Sequence, residues 1–214
     1  MTAISVCVTS DAAHLFSDAG LMDPACSKIE GIGSKVAILP EYNAVLVANG
    51  FTFVEQILRA TLAFVRFDHF DALCAGFPEV IGKAVENGVR YGAPADWGNT
   101  EIILAGWSLA KNAPTAMVFA SYEKFAGKQV RTFIRPMVNI SLDPSDIEQS
   151  GLRLMQAQRA ATFPIEDSGG GLFMKSKRGR WVVHGFCQHT VVTRDSIRTR
   201  VLERWPDVVH REPA

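Results

Sequence analysis

The spacing of apolar residues switches repeatedly between a strand period and a helix period along this chain, and that order of periods limits the folds open to it. Up to Ala48 the runs are short and strand-like: Thr2 to Val8, Ala12 to Ser17, Lys35 to Leu39 and Ala44 to Ala48. Turn formers separate them, Ser10-Asp11 within the first pair and Pro40-Glu41-Tyr42-Asn43 within the second, so each pair reads as a hairpin. A loop rich in turn formers (Asp23-Pro24, Gly31, Gly33) joins the two hairpins. From Phe51 the period lengthens. Val54, Ile57, Leu58, Leu62 and Val65 lie three or four apart, and so do Leu73, Phe77, Val80, Ile81, Ala84 and Val85. That is the spacing of one helical face, which predicts two helices in tandem, the second closing near Asn87-Gly88.

Strands then return: Glu101 to Leu109, Thr115 to Tyr122 and a weaker run from Gln129 to Ile134. Asp143 or Ser145 can N-cap a third helix over Ile147, Leu152, Leu154 and Met155, reaching about Thr162. Gly171 to Lys175 and Trp181 to Cys187 read as late strands around a basic turn, and an amphipathic stretch runs from Ser196 to Trp205. Helices inserted between runs of antiparallel strands predict a layered α+β sandwich with two sheets face to face, rather than a wound βαβ sheet. At 214 residues one domain spanning 1–214 is expected.

Charge narrows the partners. Lys+Arg 22 balances Asp+Glu 22, so neither nucleic acid nor another polyanion is implied, and the Lys175, Lys177, Arg178 and Arg180 cluster reads as a solvated hairpin tip. Cys7, Cys26, Cys74 and Cys187 are scattered without a CxxC pair, which marks neither a disulfide framework nor a zinc site and fits a reducing cytoplasm. His184, Cys187 and His189 would place only two ligands on one side of a strand, so no metal and no cofactor is expected. Phe64, Phe67 and Phe70 read as packing between the two tandem helices. The start Met1-Thr2-Ala3-Ile4-Ser5-Val6 lacks a secretory pattern and no window has the length of a membrane span, so a cytoplasmic chain without a membrane partner is expected.

Several short motifs carry chemistry. Thr2 directly after Met1, Phe16-Ser17-Asp18, Ser34-Lys35-Val36 and Ala48-Asn49-Gly50 together resemble the N-terminal-nucleophile hydrolases, and among them proteasome β-type subunits, most of all the short bacterial HslV-like kind that begins Met-Thr. Asp18 follows Thr2 by sixteen positions, the separation in that family, while Lys35 and Gly50 fall slightly later than its pattern. Asp167-Ser168-Gly169-Gly170 resembles the family's Asp-x-x-Ser-Gly-Gly element in shortened form. The resemblance implies a four-layer αββα sandwich and an N-terminal threonine nucleophile. A hydroxyl is a weak nucleophile until a base takes its proton, and a free α-amine on the same residue can be that base. Thr2 has one only once Met1 is removed, as methionine excision before a small residue would do.

By the same resemblance Lys35 would lower the pKa of the amine and hydroxyl through its charge, with Asp18 as counter-ion. Gly50 would offer its N–H to the developing oxyanion, and Asp167 and Ser168 would orient the N-terminus. The expected activity is hydrolysis of peptides or amides by a chain that assembles with copies of itself, any unfoldase partner being open. One element departs from the family: its Gly-Ser-Gly before the third helix is Val138-Asn139-Ile140-Ser141-Leu142-Asp143-Pro144 here, with Ser141 the serine at hand. That departure keeps two alternatives, a catalytically inactive ring-forming or scaffold protein of the same fold and an amidase of the same superfamily acting on small molecules.

Overall fold

The structure is a computed structural model that describes residues 2–22, 28–50, 53–90, 93, 95, 97–161 and 183–210. In chain order its elements are β1 (Ile4–Val8), β2 (Ala13–Ser17), β3 (Gly20–Met22), β4 (Ile29–Ile32), β5 (Val36–Leu39), β6 (Ala44–Asn49), α1 (Val54–Leu62), α2 (Phe70–Arg90), β7 (Glu101–Ser108), β8 (Ala113–Ala120), β9 (Gly127–Val130), β10 (Thr132–Arg135), α3 (Ile147–Ala160), β11 (Phe186–Val192) and β12 (Ile197–Arg204). Two five-stranded antiparallel sheets form, one ordered β10-β1-β2-β11-β12 and the other β5-β6-β7-β8-β9.

Alternation of side chains along the strands sorts the apolar residues into three cores. Ile4 and Val6 of β1, Leu15 of β2, Val45 and Val47 of β6 and Ile103 of β7 face one another between the sheets. Their neighbours Leu46, Ile102 and Leu104 point the other way, onto Leu58 of α1 and Phe77 and Ile81 of α2. On the far side of the first sheet, Cys7 and Phe16 pack on Leu154 and Met155 of α3. Three cores between four layers make the layered α+β sandwich that the order of elements predicts, in the αββα form that the resemblance implies. It also explains why β6 and β7 read as nearly continuous apolar runs, since both of their faces are covered.

Several local expectations change. Gln129 to Ile134 is two strands rather than one: β9 pairs with β8 in one sheet, β10 pairs with β1 in the other, and the chain crosses between sheets at Arg131. The second helix does not close at Asn87-Gly88 but continues to Arg90, and Gly88 serves close packing instead, because a Cβ there would lie 3.3 Å from Ile57 Cδ1. The loop between the hairpins contains a further hairpin, β3 with β4. Phe70 is buried and Phe67 packs on the helical core, but Phe64, just past α1, is 91% exposed and takes no part between the helices. Of the strand expected from Trp181 to Cys187, residues 183–185 are not strand and β11 runs from Phe186 on to Val192, Trp181 and Val182 lying outside the described residues, and Ser196 to Trp205 is largely strand β12. The expected strand at Gly171 to Lys175 and the basic turn lie outside the described residues. No helix among the described residues is long and apolar enough to cross a membrane.

Candidate functional site

The site gathers residues from the lead into β1, the end of β2, the lead into β5 and the end of β6. Asp18 follows β2 directly and is fully buried. A bare carboxylate there would be costly, and four donors satisfy it: the backbone N–H groups of Ala3 (3.1 Å), Gly20 (3.1 Å) and His184 (3.2 Å), and Lys35 Nζ at 2.8 Å. Asp18 N–H in turn donates to Ala3 O at 3.3 Å. The carboxylate therefore binds both the ammonium of Lys35, itself 8% exposed, and the backbone of the residue after Thr2. Glycine is needed at position 20, because a Cβ there would run into the His184 side chain.

Thr2 is half-buried, and its N–H donates to Asn49 Oδ1 at 3.0 Å. Thr2, Lys35 and Gly50 line one crevice together with Met22, Val54 and Glu55. Gly50 follows the last residue of β6; a Cβ on it would lie 2.5 Å from Thr100 Oγ1, so only glycine fits against that buried threonine. Burial pushes the Glu55 carboxyl up from the usual range, an effect that Arg59, 3.6 Å away, opposes.

Four of the six residues singled out in the sequence thus come together: Thr2, Asp18, Lys35 and Gly50. Asp167 and Ser168 lie outside the described residues. Ser141, the serine in place of the family's Gly-Ser-Gly, is exposed and does not line the crevice. Behind Thr2 the structure adds a polar chain that the sequence does not signal. Asn49 Nδ2 donates to Glu101 Oε2 at 3.4 Å, and Glu101, 3% exposed, accepts from Arg135 Nε at 2.8 Å and from the Tyr122 hydroxyl at 2.8 Å. Its one sequence trace is an acidic residue opening strand β7 ahead of the apolar run Ile102 to Trp107.

No family model matches the chain, and no curated protein does. Among solved structures it is similar to a Gly-1 mutant of Anbu from Hyphomicrobium sp. strain MC1, with a TM-score of 0.62 and 12% identity, over 96% of this chain and 89% of that one. Likeness at that identity belongs to the fold. The chain has a proteasome-like fold.

Proposed function

We propose that the chain is a threonine-type hydrolase of peptides or amides, with the Thr2 hydroxyl as nucleophile once Met1 has been removed. The observation that carries this reading is the buried Asp18–Lys35 pair, bonded to the backbone of Ala3 and opening into the same crevice as Thr2 and Gly50. A pair used only for stability has no need of a crevice beside it.

The freed α-amine takes the proton of Thr2 Oγ1, and the oxygen attacks the substrate carbonyl carbon. The Lys35 ammonium favours the neutral amine and the developing alkoxide by its charge, while Asp18 fixes the ammonium in place. The Gly50 N–H meets the oxyanion, the C–N bond breaks as the amine returns its proton to the leaving nitrogen, and water then releases the ester by the same route. Asp167 and Ser168 would orient the amine, and self-assembly would follow the family resemblance. One observation favours a second reading, a ring-forming protein of this fold without activity: Ser141 stands outside the crevice where the family places a supporting serine.

Intact mass and probe labelling decide between them. The hydrolase reading expects loss of Met1, labelling of Thr2 by a peptide β-lactone, and a loss of hydrolysis on the order of a thousandfold or more in Thr2→Ala. Full activity in Thr2→Ala, or an unlabelled Thr2 behind a retained Met1, overturns it.

A further inference from the structure

The polar chain behind Thr2 ties the two sheets together at the crevice. Asn49 and Glu101 stand directly opposite each other on β6 and β7, and Arg135 stands opposite Ile4 on β10 and β1 of the other sheet. Asn49 shares a strand face with Val45 and Val47, and Glu101 shares one with Ile103 and Ala105, so both side chains point between the sheets. Burying a carboxylate at that position is unfavourable unless it is paired and hydrogen-bonded, and Arg135 Nε and Tyr122 OH both bond its Oε1. The free oxygen Oε2 meets Asn49 Nδ2 and leaves Asn49 Oδ1 turned to the Thr2 nitrogen.

We infer that Asn49, held by Glu101 and through it by Arg135 and Tyr122, is a positioning residue for the Thr2 amino group; the inference rests on the hydrolase reading above. An amine works as base only if its lone pair faces the hydroxyl, and an acceptor on one N–H fixes that direction. The relay also sets charge. Among the described residues, the charged groups around the crevice and the relay are Asp18 after β2, Lys35 before β5, Glu55 on α1, Glu101 on β7 and Arg135 on β10. Arg135 offsets Glu101, so the Lys35 charge acts on the amine without opposition from behind.

The test compares the natural chain with Asn49→Ala, Glu101→Gln and Arg135→Met in the full-length, Met1-processed protein. Two rates are followed against pH: acylation of Thr2 by a peptide β-lactone, and reductive dimethylation of the α-amine by formaldehyde and cyanoborohydride, read on the N-terminal peptide by mass spectrometry. Asn49→Ala is expected to slow acylation roughly ten- to a hundredfold at every pH, as a misplaced base does, and to move the amine's titration to lower pH through loss of its acceptor. Glu101→Gln moves the titration to lower pH, and Arg135→Met, which leaves the Glu101 charge uncompensated, moves it to higher pH. Opposite signs from the two partners of one ion pair are not produced by simple loss of stability. If the natural chain is acylated and all three variants match it in rate and titration, or if Glu101→Gln and Arg135→Met shift the same way, the relay is overturned while the nucleophile stands. If the natural chain is inert to the β-lactone yet the titrations move as stated, the relay stands and the nucleophile falls. Retention of Met1 removes the amine and overturns both.

Discussion

At the scale of single residues, Asp18 organises the site. It is one of few charged groups fully removed from water, and its donors come from four separate segments: the lead into β1, the start of β3, the lead into β5 and the lead into β11. Removing one member of a buried pair leaves the other uncompensated. Lys35→Met is therefore expected to destabilise the fold by about 3 kcal/mol, read as a lower urea midpoint at unchanged m-value. A change within about 0.5 kcal/mol, the usual range of surface substitutions, would mean that water reaches the pair. Asp18, Lys35 and Gly50 are legible in the sequence because each sits at a family-like offset from Thr2. Asn49 is not, since an asparagine before a glycine reads as a strand end and nothing local says what its amide touches. Glu101 is hidden for a different reason: its partners are Asn49, Tyr122 and Arg135, brought together only by sheet register and by the crossing from β9 to β10.

Among the elements, the seam between α3 and its sheet is tightly specified. Ser150, Gly151, Leu154, Met155 and Gln158 are its buried face, a helical stripe that meets β2 and β11. Gly151 has to be small, because a Cβ there would penetrate the Phe16 ring. Gly151→Val should lift α3 off the sheet and cost about 1–3 kcal/mol, visible in thermal or urea unfolding. Phe16 itself stacks on His189, with ring centroids 4.4 Å apart, and His189 Nε2 lies 3.2 Å from His14 Nδ1. Burial, helped by the neighbouring His14, pulls His189 down to about 4; burial lowers His14 as well, against the opposing charge of Asp11.

The consequence for stability has a definite sign. Between about pH 4 and 6.5 the unfolded chain binds a proton at His189 that the folded chain refuses. Stability is thus complete above the unfolded pKa and falls as pH drops through that window, by roughly 3 kcal/mol at the lower end. Urea midpoints at pH 7 and pH 5 should differ for the natural chain and draw together in His189→Gln, and equal slopes in both would place the acid sensitivity elsewhere. The helix periods were readable because α1 and α2 each bury one continuous stripe, Val54-Leu58-Leu62 and Phe70-Leu73-Phe77-Ile81. The split of Gln129 to Ile134 was not, because neither β9 nor β10 has a fully buried residue to mark its face, and it is their partners in different sheets that separate them.

For the molecule as a whole, the arrangement depends on strands that bury both faces. β6 and β7 supply side chains to the helical core on one side and to the inter-sheet core on the other, so they belong to two of the three cores at once. Beside the crevice, the lead into β1, the end of β6 and the start of β7 bring Thr2, Asn49 and Glu101 to one place. The two sheets must keep their distance for those contacts to survive. Ile103 is fully buried between the sheets, whereas Ile38 on edge strand β5 is 42% exposed. Ile103→Ala should cost about 2–5 kcal/mol, the loss of apolar burial plus the cavity left behind; Ile38→Ala should stay within about 0.5 kcal/mol. Urea unfolding of the two variants reads the contrast directly. The layered reading makes a further demand on Ile103→Ala: its cavity lies in the core that holds the sheets apart, so β-lactone labelling of Thr2 should slow at denaturant levels where the protein is still folded. Equal destabilisation at the two sites would mean that the sheet holding β1 and β2 does not cover the inner face of β7.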